Sequence, residues 1–165
     1  MSYYVVIRGP LGIGKSTVSE RLAMLLGAEY VSVDRILEEP GVEEWDELAG
    51  YYSERCFLRT SEIAAHRARA FLHRGTPVIF DGNFYWKSQI ADLVARLAFP
   101  HHVFTLEAPL ELCVQRDAQR DPPHGRAATE SVYAKSTEFA WGVGIDATRS
   151  PDLVAADILA RIRTA

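Results

Sequence analysis

Cysteine is scarce. The two in this 165-residue chain, Cys56 and Cys113, form no CxxC pair and have no histidine at metal-ligand spacing. His66, His73, His101, His102 and His124 are not spaced for a metal either, and are read as solvated or core histidines. A disulfide framework and the common zinc patterns are thereby excluded, and two buried thiols in a reducing cytoplasm are expected. Long apolar runs are missing: none approaches the ~20 residues that a membrane-crossing helix requires, so no membrane partner is expected. The opening residues lack the basic start and long apolar stretch of a secretory leader. There is no excess of positive charge, and a net charge of −4 argues against an extended, non-specific groove for nucleic acid. Gly/Ser linkers, repeats and low-complexity tracts are absent, so residues 1–165 are expected to form one domain.

What is present alternates. Apolar runs of strand length are separated by longer segments of helical period, the signature of βαβ units in a parallel sheet covered by helices on both faces. Strands are expected at 3–8, 30–33, 77–80, 102–106 and 144–147. Helices are expected from the end of the first loop to about Leu26, over most of 42–74 with a break, and around Ile90 to Leu97. Further helices are expected to start at Pro109, to end near Phe139, and to follow Ser150-Pro151. Residues 121–127, Asp-Pro-Pro-His-Gly-Arg-Ala, read as a loop.

Gly9-Pro10-Leu11-Gly12-Ile13-Gly14-Lys15-Ser16 fits G-x-x-x-x-G-K-[ST] and stands between the first strand and the first helix, the context the pattern needs. Glycines let the backbone curl until its N–H groups converge on an anion, and the helix N-terminus adds partial positive charge. The amides of residues 11–16 form the cup, with Thr17 next on the helix. Lys15 reaches the β- and γ-phosphates, and the Ser16 hydroxyl is a candidate Mg²⁺ ligand. The glycine spacing is not G-x-G-x-x-G, which disfavours a dinucleotide site. No Asn-Lys-x-Asp occurs, so ATP is expected over GTP.

Ligands of an open parallel sheet sit beyond the carboxyl ends of its strands, where Asp34 and Asp81 both fall. Asp34 is the candidate acceptor of a hydroxyl proton, the alternative being an N-cap for Arg35 to Glu38. Asp81, closing an apolar strand, is the candidate second metal ligand, the alternative being an Asp-Gly turn. Arg116, Arg120 and Arg126 precede or enter the Pro-rich loop. Arg116 and Arg120 are four apart on one helical face, placed to bind phosphoryl oxygens. The alternative is a solvated face paired with Asp117 and Asp121.

Together these residues resemble the small P-loop kinases grouped with adenylate, shikimate and gluconate kinases. The likeness is strongest to the kinase domain of polynucleotide 5′-hydroxyl kinases and the related antibiotic-phosphorylating enzymes. It covers nearly the whole chain and implies a three-layer αβα P-loop NTPase fold, with a five-stranded parallel sheet of order 2-3-1-4-5 and a short lid at about 116–127. The segment from Ala108 to Arg120 is similar to that family's helix leading into the lid, which implies Arg116 near the adenine and Arg120 near the phosphates. Asp34 stands at the family's catalytic Asp. Asp81 and Asn83 match the pair that faces the acceptor, and Ile145 to Pro151, with Arg149, matches the loop beside the base. The resemblance thus implies Lys15, Asp34 and Arg120 as catalytic residues and ATP with Mg²⁺ as cofactors. Leu37 stands where a polynucleotide kinase would carry a substrate-phosphate arginine, with Arg35 nearby as a substitute. Ser32 replaces the first acid of the shikimate kinases' Asp-x-Asp.

The acceptor side is expected over 42–74, where Trp45, Tyr51, Tyr52 and Phe57 are candidates to stack on a ring. Arg55 and Arg59 are candidates to bind an anion. The alternative is core aromatics plus surface arginines. Phe84, Tyr85 and Trp86 are candidates for a further apolar wall. Three functions fit: transfer of phosphate to a small-molecule or nucleoside hydroxyl, 5′-phosphorylation of RNA or DNA ends, or a regulatory ATPase without acceptor. The acidic net charge and Leu37 favour the first over the second. Asp34 in a base position favours it over the third.

Overall fold

The computed structural model describes residues 2–42, 45–46 and 51–164, with residues 45 and 46 described for their backbone. The elements are β1 (Tyr4–Arg8), α1 (Lys15–Leu26), β2 (Glu29–Ser32), α2 (Val33–Leu37), β3 (Trp45–Asp46), β4 (Tyr51–Tyr52) and α3 (Glu54–His73). They continue with β5 (Val78–Gly82), α4 (Lys87–Leu97), β6 (His101–Glu107), α5 (Leu110–Asp117), α6 (Arg126–Ser136), β7 (Val143–Asp146) and α7 (Pro151–Thr164). Five strands form one parallel sheet ordered β2-β5-β1-β6-β7. Counted among its own strands that is 2-3-1-4-5. The numbering shifts because the antiparallel pair β3-β4 intervenes before β5.

Strand β1 reads as an uninterrupted apolar run because both faces are covered. Tyr4 and Val6 point into one core with Phe80, Ala64, Ala65 and Ala68 of α3 and Leu93 of α4. Val5 and Ile7 point into the other with Ile79, Leu22 of α1 and Val154 and Ile158 of α7. This two-residue alternation is the strand's own period. Full burial of each such side chain is worth roughly 1.5–3 kcal/mol.

Arg8 ends β1 and is fully buried. Its guanidinium donates to the carbonyls of Ser136 (2.7 Å) and Phe139 (3.3 Å) and to Thr105 Oγ1, and lies 4.3 Å from the Phe139 ring centroid. Carbonyls at the end of α6 form the negative end of the helix, which partly compensates a cation that has no carboxylate beside it. Burial pulls its pKa down to about 10.

The helix expected over most of 42–74 is corrected. Strands β3 and β4 pair in the first part, with Asp46 opposite Tyr51, and the helix proper is α3, capped by Ser53 accepting from the Cys56 amide. Residues 43, 44 and 47–50, and the Trp45 side chain, lie outside the described residues. Helix α5 stops at Asp117, so Arg120 sits on the turn after it instead of sharing its helical face with Arg116. No helix among the described residues is long and apolar enough to cross a membrane. Cys56 and Cys113 are buried thiols not joined to each other by a disulfide.

Candidate active site

The loop between β1 and α1 forms the floor of a cavity of about 670 Å³. Its shape depends on glycine at two positions. Gly12 has φ 73°, and a Cβ there would come within 2.1 Å of the Cys113 carbonyl oxygen on α5. Gly14, at φ 99°, is the N-cap of α1. Leu11, Gly12, Ile13, Gly14, Lys15, Ser16 and Thr17 all line the cavity. Gly9 does not. It faces a smaller cavity behind the loop, so its expected place on the ligand side is corrected.

Lys15 is buried. Its ammonium donates to the Pro10 carbonyl and to Asn83 Oδ1, both at 2.9 Å, and lies 3.9 Å from Asp34 Oδ2. Burial, the dominant influence, pulls its pKa below the ordinary value, while Asp34 and Asp81 act against that. The second position of α2 belongs to Asp34. Ser32 is the N-cap and accepts from the Arg35 amide, so the capping role considered for Asp34 falls to Ser32. The carboxylate of Asp34 keeps 29% of its side-chain surface open to the cavity, and its Oδ1 accepts the Asn83 amide at 3.0 Å. Burial pushes its pKa up to about 6, against the lowering by Lys15 and the Asn83 amide.

Asp81 sits inside β5 rather than in a turn, and is buried. Its Oδ2 accepts the Ser16 hydroxyl at 2.9 Å, while the buried Oδ1 has no hydrogen-bond partner among the described residues. A hydroxyl and an unshared carboxylate oxygen side by side form the hard-oxygen donor set that suits Mg²⁺. No group of three or more His, Cys, Asp or Glu able to hold a metal occurs among the described residues.

Strand β5 also delivers the acceptor-side wall. Phe84 adopts φ 44°, unusual for a bulky residue. Its ring is buried in the α3/α4 core while Asn83 and Tyr85 on either side both line the cavity. The Tyr85 hydroxyl accepts the Tyr52 amide at 2.8 Å, and its ring packs 4.7 Å from that of Phe57.

The arginines separate. Arg116 donates to the carbonyls of Ile13 (3.2 Å) and Ala147 (2.8 Å), tying the phosphate loop to the β7–α7 connection. Arg120 lines the cavity; its amide donates to the Asp117 carbonyl at 3.0 Å, while its guanidinium has no hydrogen-bond or ion-pair partner among the described residues. Arg149 lines it too, with its charge shared with Asp157 at 2.8 Å. Arg35 lies at the rim, paired with Glu20 at 3.7 Å. Three arginines are placed elsewhere than expected. Arg126 pairs with Glu111 and Glu130 outside the cavity, Arg59 pairs with Glu62, and Arg55 is exposed on the same outer face of α3.

His124 lines the cavity, contrary to the solvated-or-core reading. Its Nδ1 lies 2.7 Å from Oδ1 of the buried Asp117, whose Oδ2 accepts the Gly125 amide. Asp117 therefore ties down the lid loop and is not the partner of Arg116. Glu38, and Ala128 and Val132 of α6, line the cavity as well and carried no signal in the sequence, since only the packing brings them there.

A glycine loop flooring the cavity, a buried lysine, a hydroxyl–carboxylate pair, and an arginine and a second carboxylate lining the same cavity fit a nucleotide-binding phosphotransferase of the P-loop type. A family model described as an AAA domain matches residues 5–139. A cytidylate kinase of Ignicoccus hospitalis is 33% identical over 143 residues, covering 83% of this chain and 75% of the relative. The structure of a sugar kinase from Janibacter sp. superimposes with a TM-score of 0.79 at 18% identity, over 100% of this chain and 96% of the other. That of the Mycobacterium tuberculosis APS kinase, in complex with AMPPNP and APS, superimposes with a TM-score of 0.76 at 17% identity, over 98% of each. At such identities the two structures speak for the fold alone. The chain belongs to this AAA-domain family of P-loop kinases, and it is an ATP-dependent phosphotransferase.

Proposed function

We propose that the chain moves the γ-phosphate of ATP, with Mg²⁺, onto a hydroxyl of a small molecule or nucleoside. The observation that carries this reading is the Asp34 carboxylate, open to the cavity 3.9 Å from the Lys15 ammonium and braced by the Asn83 amide. A base for an alcohol stands beside the grip for a phosphate, an arrangement a simple nucleotide switch does not need. The amides of residues 11–16 would hold the triphosphate, Arg116 would border the base, and Ser16 and Asp81 would hold the metal. When bound, Mg²⁺ supplies charge neutralisation at the phosphate oxygens.

The acceptor oxygen attacks the γ-phosphorus as Asp34 takes its proton. The bond from phosphorus to the bridging oxygen breaks, and ADP leaves with that electron pair. Lys15 and Arg120 face the negative charge that spreads over the transferring oxygens. On the acceptor side, Asn83 and Arg35 are positioned to orient the alcohol. The AMPPNP complex of the APS kinase supports ATP as donor.

The test is transfer from γ-labelled ATP into a panel of alcohols, run beside Asp34→Asn. Label in an alcohol product, lost in the variant with nucleotide binding retained, supports the reading. Equal turnover in the variant would remove Asp34 from its role. Label confined to oligonucleotide ends would replace the acceptor class.

A further inference from the structure

The two ends of the cavity differ in charge. The nucleotide end carries Lys15, Arg116, Arg120 and Arg149. The acceptor end, around Asp34, is walled by Leu37, Tyr52, Tyr85 and Val132 and edged by Asn83 and Glu38. Among the described residues its one arginine is Arg35, which is 69% exposed and faces Glu20. The two arginines that sequence would assign here, Arg55 and Arg59, belong to the outer face of α3. Arg67 is held by both oxygens of Glu39, and Lys135 by Glu138.

The covalent chain reinforces the imbalance. Glu38 and Glu39 follow Leu37, and no lysine or arginine occurs in the sequence between Arg35 and Arg55. Glu38 lines the cavity, and the backbone at 45–46 pairs with Tyr51-Tyr52, next to the wall that Tyr52 provides. A phosphate, sulfate or carboxylate entering this end would give up hydration to Glu38, Asp34 and aromatic rings, with the exposed Arg35, already facing Glu20, as the cation at the rim, an exchange that costs affinity. A ring or alkyl face, by contrast, meets Tyr85, a rigid surface pinned through its hydroxyl to the Tyr52 amide.

We infer that the acceptor carries no anionic group: it is a hydroxyl compound with an apolar ring or alkyl face, neutral or bearing an amine. This rests on the kinase reading above. It sets the chain apart from the relatives named as cytidylate, shikimate and APS kinases, and it disfavours nucleic-acid ends.

Two measurements test it. In the first, calorimetry on the Mg·ADP complex follows titration with cytidine 5′-monophosphate, shikimate and gluconate. The native protein is expected to show no binding below millimolar concentration. Glu38→Lys, at an exposed position that leaves the fold intact, is expected to gain about tenfold or more in affinity for at least one of them. Tight binding of any of the three to the native protein, unimproved by Glu38→Lys, overturns the inference. In the second, γ-labelled ATP is incubated with the enzyme and a small-metabolite extract, and labelled products are separated by anion exchange and mass. Products whose only anionic group is the new phosphate support the inference, and the neutral and amine-bearing classes are told apart by their mass and retention. A labelled product carrying a second anionic group overturns it. Bound nucleotide with no label in any product sinks the kinase reading, and this inference with it.

Discussion

The role proposed for Asp34, that of a base, pulls against its surroundings. A base must be ionised, yet its surroundings push its pKa up to about 6. A carboxyl whose folded-state pKa lies above its ordinary value of 3.8 weakens the fold as pH rises through that interval, because the folded state holds the proton more tightly. Ionised Asp34 thus costs about 1–3 kcal/mol at neutral pH. Asp34→Asn is expected to lower kcat about 10²- to 10⁴-fold, to leave the nucleotide Kd within a few-fold, and to raise Tm, as read by single-turnover kinetics, calorimetry and thermal melts. In the native enzyme kcat/KM is expected to fall on the acid side of about pH 6, as the base gains its proton. Arg120→Ala is expected to reduce kcat by about 10²–10³ with nucleotide binding little changed, because its guanidinium is unengaged until charge develops beside it. Of these residues, Lys15 and Ser16 were legible because their meaning lies in spacing within one loop. His124 was not, because its role comes from a buried partner, Asp117, across a turn that no period encodes.

At the scale of elements, the five strands could be read because continuous apolar runs are what two-sided burial demands. Two-residue strands carry no period, so the segment that pairs as β3–β4 reads as helix from sequence. The face of α3 was legible in principle: Cys56, Phe57, Thr60, Ser61 and Ala64 are buried, which leaves Arg55 and Arg59 outside on the same 3.6-residue rhythm. The elements also touch where the sequence cannot show it. Gly12→Ala would drive a Cβ against the Cys113 carbonyl at 2.1 Å and place alanine at positive φ. It is expected to abolish nucleotide binding in calorimetry, with circular dichroism still showing the helical content of the fold. Asp117→Ala removes the anchor of His124 and Gly125. Faster amide exchange confined to the lid loop is the expected result.

Over the whole molecule, β1 joins the two cores, since its alternate side chains enter both. Melting is therefore expected as one transition, coincident by near- and far-ultraviolet circular dichroism. Leu22→Ala and Leu72→Ala, one in each core, should each lower its stability by about 2–5 kcal/mol. Separate transitions for the two variants would contradict the shared strand. The fold class was legible from length and alternation, but Arg8 was not: its partners lie at Thr105, Ser136 and Phe139. That buried guanidinium moors the far end of α6 to the strand that runs into the phosphate loop. With one end pinned, the helix has a pivot there and no freedom to glide, so any movement of its opposite end, beginning at Arg126, is an arc about the moored end. Closure over a bound nucleotide would then resemble a door on a hinge post.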